Sequence, residues 1–241
     1  MKILSIGNSF SQDAQRYLSK IAIKEGERIK NINLYIGGCS LRTHYLNMLD
    51  GRDDYTLEFL GESTGVKVSI DRVLRSDDWD VITLQQVSTQ SAKFESYTPY
   101  IEELADYVRT FCPKAKIYIH ETWAYENGCA RLSDLGFESD EDMYAGLKDA
   151  YAKAKEKIEA YGIIPSGTAM IEASRRGLSH LHRDTFHASL GAGRYILGLT
   201  WYKALFGKDI TENDFSDFDE PITEEERRII IESVNAAFKC D

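Results

Sequence analysis

Short apolar runs alternate with helix-patterned segments along almost the whole chain, and this alternation restricts the fold more than any other feature. Residues 2–7, 32–36, 80–85 and 116–120 read as buried strands, with Ile163-Ile164 as a short last candidate. Between them, Ala14, Leu18 and Ile21 fall at helical spacing over residues 12–25 before Gly26. Further helices are expected over 98–111, 140–160, 168–175 and 190–206. The 140–160 helix opens at Ser139 with Asp142 three residues on and carries the stripe Met143, Leu147, Tyr151, Ala154 and Ile158. A last helix begins at the capping box Thr223-Glu-Glu-Glu226 and buries Ile230, Val234 and Phe238. Strands separated by helices must pair in parallel, so the expected fold is a three-layer α/β/α sandwich with a mainly parallel central sheet, flavodoxin-like in type. One stretch departs from the pattern: Tyr55, Leu57 and Phe59 alternate and, past Gly61, so do Val66 and Val68, which predicts a β-hairpin insertion around 54–69. Lying near the site, such an insertion would shape substrate access.

The chain has 241 residues and 43% apolar content, enough for one substantial core, and residues 1–241 are read as a single domain. The net charge of -10 and the lack of any Lys/Arg-rich run argue against nucleic-acid binding, whose affinity comes largely from phosphate contacts. No stretch approaches the roughly 20 apolar residues that span a bilayer, and the first strand is too short for a signal-peptide core. The chain as given therefore reads as soluble and cytoplasmic, although a removed leader would leave no trace. Cys39, Cys112, Cys129 and Cys240 are scattered without C-x-x-C or zinc spacing and read as reduced thiols. The acidic stretch from Asp209 to Glu220 reads as a solvated loop.

Three residues suggest chemistry. Ser9 follows Gly7-Asn8 at the C-terminal end of the first strand, the edge where open α/β sheets bind ligands. Gly7 permits a tight turn, and N–H groups of the next helical turn are available to an oxyanion. Ser9 or Ser11 could instead merely cap helix one. Near the other end, Asp184-Thr-Phe-His187 places a carboxylate within reach of an imidazole, which would fix its tautomer and supply the base a serine hydroxyl needs. It is the combination, not either piece, that points to a hydrolase.

These blocks resemble those of the SGNH or GDSL-type serine esterases, with Asn8 and Phe10 in place of the usual Asp and Leu of the first block. The resemblance implies that Ser9 is the nucleophile, that His187 is the base oriented by Asp184, and that the N–H of Ser9 belongs to the oxyanion hole. It also implies that a glycine of Ile36-Gly37-Gly38-Cys39-Ser40, Gly38 before Gly37, contributes a second oxyanion N–H. The usual Gly-x-Asn-Asp block is missing. Gln85-Gln86 stands after the third main strand, and by analogy with carbohydrate-esterase branches Gln86 or Gln85 would donate the last oxyanion hydrogen bond. The implied activity is hydrolysis of a short-chain acyl ester, an O-acetyl group on a carbohydrate being the favoured substrate. The rival readings are a non-catalytic carbohydrate-binding protein and a metal-dependent hydrolase.

Other residues are weighed against ordinary structural roles. His120 and Trp123, with Glu121 between, fall on the same sheet edge as Ser9 and either line the substrate pocket with Asn8 and Gly37 or fill the core. His44 reads as a surface residue, and Cys39 as a small filler beside the site. His180-x-His182-x-Asp184 would bind a metal only in an extended segment with further ligands from elsewhere, so no metal and no cofactor are expected. Gly191-Ala-Gly193 follows no strand and is not a dinucleotide fingerprint, and neither a Walker lysine motif nor Gly-x-Ser-x-Gly occurs. The expected partner is a small-molecule or carbohydrate ester, with no nucleic acid and no membrane; the sequence leaves the oligomeric state open.

Overall fold

The computed structural model describes residues 1–239, so Cys240 lies outside the described residues. In chain order the elements are β1 (Lys2–Gly7), α1 (Ser9–Gln15), α2 (Leu18–Lys24), β2 (Lys30–Tyr35), α3 (Leu41–Asp50), β3 (Tyr55–Phe59), β4 (Glu62–Val68), α4 (Ile70–Leu74) and β5 (Val81–Leu84). A 3-10 turn at Phe94–Ser96 leads into α5 (Tyr100–Phe111) and β6 (Lys116–His120), then α6 (Ala130–Asp134) and α7 (Asp140–Lys157). The chain ends with β7 (Gly162–Ile164), α8 (Ser166–Arg175), α9 (Ala192–Phe206) and α10 (Glu224–Ala237).

The strands form one seven-stranded sheet in the order β4-β3-β2-β1-β5-β6-β7. From β2 to β7 every pairing is parallel, while β3 and β4 are antiparallel additions at one edge. Parallel strands covered on both faces need apolar or hydrogen-bonded residues at every position. β5 obeys this over its whole length, and β1 over all but its first residue. Helices α1, α2, α8, α9 and α10 pack with one another, while α3, α4 and α5 form a second group. The chain runs outward from β1 through β2, β3 and β4, then returns to β5 on the other side of β1. That reversal opens a crevice at the carboxyl ends of β1 and β5, where such sheets bind ligands.

The helix starts follow their caps. Ser139 accepts the Asp142 N–H and opens α7, and Thr223 and Glu226 form the expected reciprocal capping box of α10. Several expectations need correction. The single helix over 12–25 is two short helices, and the first begins earlier, at Ser9, because Asn8 caps it. Between β2 and the hairpin, where the sequence reading places no element, α3 is found, marked by Ser40 at its N-cap and by Gly51 at φ 63° beyond its end. Its apolar stripe was hard to see because one buried position is His44.

His44 is fully buried rather than on the surface. Its ring stacks on Tyr55 and its Nδ1 lies 2.9 Å from the Tyr55 hydroxyl, while burial pushes its pKa down to about 3. Residues 209–220 are more than a solvated loop. Ile210, Asn213 and Phe215 are buried, Phe215 lies against Tyr17 at 5.3 Å, and Asp219 pairs with Arg16 and Arg194. The apolar residues between the acids fix the strap, and the acids pair outward. The β3–β4 hairpin extends the main sheet and contributes no residue to the crevice beside Ser9.

Glu121, just past β6, is 3% exposed and accepts hydrogen bonds from the Thr168 N–H at 2.6 Å and hydroxyl at 2.9 Å. Burial outweighs these bonds and raises its pKa to about 7. The folded protein therefore binds a proton here that the unfolded chain releases near pH 4.5, and stability falls as pH rises from about 4.5 to 7, by at most about 1.4 kcal/mol per pKa unit. Glu121→Gln, which keeps the acceptor and cannot ionise, is expected to remove this part of the pH dependence. Denaturant titrations at pH 5 and pH 8 test it: the stability gap between variant and wild type should shift in the variant's favour at pH 8.

Candidate active site

Ser9 is placed by the turn from β1 into α1. A Cβ on Gly7 would sit 2.1 Å from Ser11 Oγ, so close approach to the first helical turn, rather than a special backbone angle, requires glycine there. Asn8 takes the N-cap conformation at φ -145°, and its Oδ1 accepts the Phe10 N–H at 3.0 Å. Ser11 closes the box by accepting the Asn8 N–H at 3.0 Å. The capping role thus belongs to Asn8 with Ser11, and the Ser9 hydroxyl is left for other work. The Ser9 N–H is a first-turn donor that the helix itself cannot use.

The second part of the site is the loop after α8. Residues 182 and 188 form an isolated antiparallel bridge, so the intervening chain protrudes as a small tongue. Asp184 organises its tip, with Oδ1 accepting the His187 N–H at 2.8 Å and Oδ2 lying 2.7 Å from His187 Nδ1. Thr185, at φ 74°, turns the backbone in the left-handed region, and its carbonyl accepts the Glu126 N–H at 2.7 Å. Two anchors hold the tongue down. Trp123 Nε1 donates to the Phe186 carbonyl at 2.8 Å, and Arg183 reaches both carboxylate oxygens of fully buried Asp13 in α1 at 2.9 Å.

These elements bring the chain ends together: His187 Nε2 lies 2.9 Å from Ser9 Oγ, across 178 residues of sequence. Burial pushes the Asp184 carboxyl upward, but the hydrogen bonds from the His187 ring and backbone prevail and hold it below the usual carboxylate range. Asp184 is therefore ionised at neutral pH. It fixes the proton on Nδ1 and leaves Nε2 to accept one from the serine, a geometry suited to general-base activation of a hydroxyl. The serine and histidine open into a cavity of about 380 Å³ walled by Tyr35, Tyr125 and Phe186 together with Gly37, Gly38 and Val87 to Thr89. That volume suits a small ligand.

Asn8, Gly37 and Gly38 line this cavity, and Gly38 takes φ 62°, a conformation that a side chain would strain. Among the described residues the Gly38 N–H has no hydrogen-bond partner. Cys39 is buried beside them, its thiol pushed up to about 12 by burial, which leaves it unreactive.

The glutamines do not serve as expected. Gln86 is buried; its Oε1 accepts the Leu41 and Val87 N–H groups, both at 2.9 Å, and its amide donates to the Ser96 carbonyl at 2.9 Å. Gln85 donates to Asn8 Oδ1 at 2.8 Å, with its carbonyl 2.7 Å from His120 Nδ1. Both carboxamides are committed to the scaffold, so neither is an oxyanion donor here. His120 and Trp123 are likewise core residues, not pocket walls. His120 is fully buried, held neutral with a pKa pushed down to about 3, and 3.2 Å from the Ser166 hydroxyl through its Nε2. It thus stands in a buried chain from Ser166 through Gln85 to the Asn8 cap. Trp123 stacks under Phe10 at 4.1 Å and supports the site from below. The His182 ring is 3.0 Å from the Ala124 carbonyl, and among the described residues no cluster of three metal-ligating side chains occurs.

Gln86→Ala separates the two roles. Removing a buried carboxamide with several partners is expected to lower stability by about 2–3 kcal/mol. Activity per folded molecule should fall far less than the 10²–10³-fold typical of losing an oxyanion donor. Chemical denaturation and turnover measured on the same preparation check this.

The sequence reading assigns no role to Asp13 or Arg183, and it gives Gln85 a different one from the cap-supporting contact found here. The only signal for Asp13 is an acid at an otherwise core-facing position of the first helix.

An N-terminal serine after the first parallel strand and an Asp-x-x-His tongue at the carboxyl edge of this sheet define the fold of the SGNH or GDSL-type hydrolases. Among solved structures, a member of the lipolytic protein G-D-S-L family from Veillonella parvula DSM 2008 aligns with a TM-score of 0.56 at 15% identity, over 86% of this chain and 98% of that one. A GDSL-like lipase from Bacteroides thetaiotaomicron VPI-5482 aligns at 0.53 and 10% identity, over 86% and 88%. Within that fold the chain belongs to the DUF4886 family, described as a domain of unknown function, whose model matches residues 2–235. A DUF4886 family protein from Bacteroides uniformis ATCC 8492 shares 33% identity over 100% of this chain and 95% of its own, with a TM-score of 0.90. No curated protein matches the chain.

Proposed function

We propose that this protein hydrolyses short-chain acyl esters through an acyl-serine intermediate, with an O-acetyl group on a carbohydrate as the preferred substrate. The observation that carries the reading is the unbroken pair of contacts from Ser9 Oγ to His187 Nε2 at 2.9 Å and from His187 Nδ1 to Asp184 Oδ2 at 2.7 Å. Ser9 Oγ attacks the ester carbonyl as His187 takes its proton, and ionised Asp184 stabilises the imidazolium so formed. The oxyanion receives hydrogen bonds from the N–H groups of Ser9 and Gly38, both at the cavity, without a glutamine side chain. His187 then protonates the leaving alcohol as the carbon–oxygen bond breaks. Water, deprotonated by the same imidazole, releases the acid and restores Ser9. The small cavity with aromatic walls supports a short acyl group on a sugar-sized alcohol.

A fluorophosphonate probe followed by peptide mass mapping tests the serine mechanism directly, since only an activated hydroxyl reacts. Modification at Ser9 is expected, with a chelator making no difference. An unlabelled but folded protein would favour the carbohydrate-binding reading, which the commitment of both glutamines to the scaffold makes worth testing. Loss of esterase activity on chelation would favour the metal.

A further inference from the structure

The cavity beside Ser9 is chemically unlike the rest of this acidic chain. None of its lining residues is Asp or Glu, and its one permanently charged side chain is Arg131. Arg16, Arg175, Arg183, Arg194 and Arg228 all pair closely with carboxylates, whereas Arg131 has no ion-pair partner among the described residues. Its guanidinium lies over the Phe186 ring at 4.3 Å, and that ring is in turn 3.9 Å from the His187 imidazole. Held on the ring and with no hydrogen-bond partner among the described residues, the guanidinium keeps its N–H fork free to hold a carboxylate or phosphate through two parallel bonds. A positive charge is thus held at the cavity wall, one aromatic ring from the base, in a protein whose net charge is -10.

We infer that Arg131 selects esters whose alcohol half carries an anionic oxygen group, a carboxylate or a phosphate. The inference rests on the acyl-transfer reading above. It assigns the anion to the alcohol because a short acyl group has no second functional group to offer. Electrostatically, the pocket opposes the repulsion that the rest of the surface exerts on such a substrate.

The test compares 4-acetoxybenzoate and 4-acetoxyphenyl phosphate with neutral methyl 4-acetoxybenzoate in wild type, Arg131→Met and Arg131→Lys. Methionine keeps a side chain that can lie on Phe186, and lysine keeps the charge without the fork. Intrinsic leaving-group differences cancel when the anionic-to-neutral ratio of kcat/KM is compared between proteins. That ratio is expected to fall about 10- to 100-fold in Arg131→Met and to recover in part in Arg131→Lys. The anion that suffers the larger loss identifies the group recognised. An unchanged ratio overturns the inference, as does a loss confined to 4-nitrophenyl hydrogen succinate, whose charge is on the acyl half. Calorimetric binding of 4-acetoxybenzoate to Ser9→Ala, with and without Arg131→Met, needs no turnover. Binding that depends on Arg131, together with a wild type inert to every ester, would retain the anion site while ending the esterase reading. Binding indifferent to Arg131 would end the anion site.

Discussion

Ser9→Ala is expected to lower hydrolysis of 4-nitrophenyl acetate by about 10⁴-fold or more and to abolish fluorophosphonate labelling, while leaving the fold intact. On the proposed mechanism, losing the hydroxyl removes the nucleophile and strands the imidazole, and what activity remains can come only from bound water and the oxyanion donors. The substitution is structurally mild: Ser9 is not the N-cap, its hydroxyl hydrogen-bonds only to His187 among the described residues, and the capping bonds belong to Asn8 and Ser11. A near-native melting temperature should therefore accompany the loss. Equal rates in the two proteins would remove the serine from the mechanism.

Asp13→Ala is expected to damage both stability and turnover, although Asp13 does not touch the cavity. Its carboxylate is 0% exposed and accepts hydrogen bonds from Arg183 at 2.9 Å and Arg194 at 3.0 Å. Breaking a buried ion pair from one side usually costs about 3–5 kcal/mol, and because both guanidiniums keep some access to water the lower end applies. For a chain of this size that is a fall of roughly 6–12 °C in Tm. The second effect is positional. Arg183 directly precedes Asp184, so the strut from α1 to Arg183 sets where the imidazole stands relative to a serine on the same helix. A displacement of about 1 Å lowers such a rate by about 10²-fold. Thermal melts and kcat at a temperature where the variant is fully folded separate the two, and an unaltered kcat there would show that the tongue holds its position without the strut.

The parts of the fold that were legible from sequence are those in which one residue's chemistry decides the local structure. β1 and β6 were readable from continuous apolar runs, and α7 and α10 from the oxygen-bearing caps at Ser139 and Thr223. The association of Ser9 with Asp184 and His187 was suggested by motif, since nothing in local spacing can bring residues 178 apart together. What was not legible depended on partners supplied by the fold. A glutamine donates wherever its amide is left free, and only the tertiary arrangement shows that Gln86 is spent on Leu41, Val87 and Ser96. In the same way His44 and His120 look like polar residues until a tyrosine hydroxyl or a carboxamide is found facing each ring. α4, with five residues, has too few turns for periodicity to emerge, and α3 hides because polar His44 and Asn47 stand at two of its buried positions.

The asparagine at position 8 has a consequence for how this site can vary. Its nitrogen donates to the Cys39 carbonyl at 3.0 Å while its oxygen receives the helix and Gln85, so the residue must offer both polarities at once. An aspartate there, as in the acidic form of the motif, would set an anion against a carbonyl oxygen within bonding range, and the Cys39–Ser40 peptide would have to rotate away. Asn8→Asp would therefore disturb the turn of Gly37 to Ser40 that borders Ser9. Amide and acid at this position belong to two differently built neighbourhoods and are not interchangeable spellings of one block.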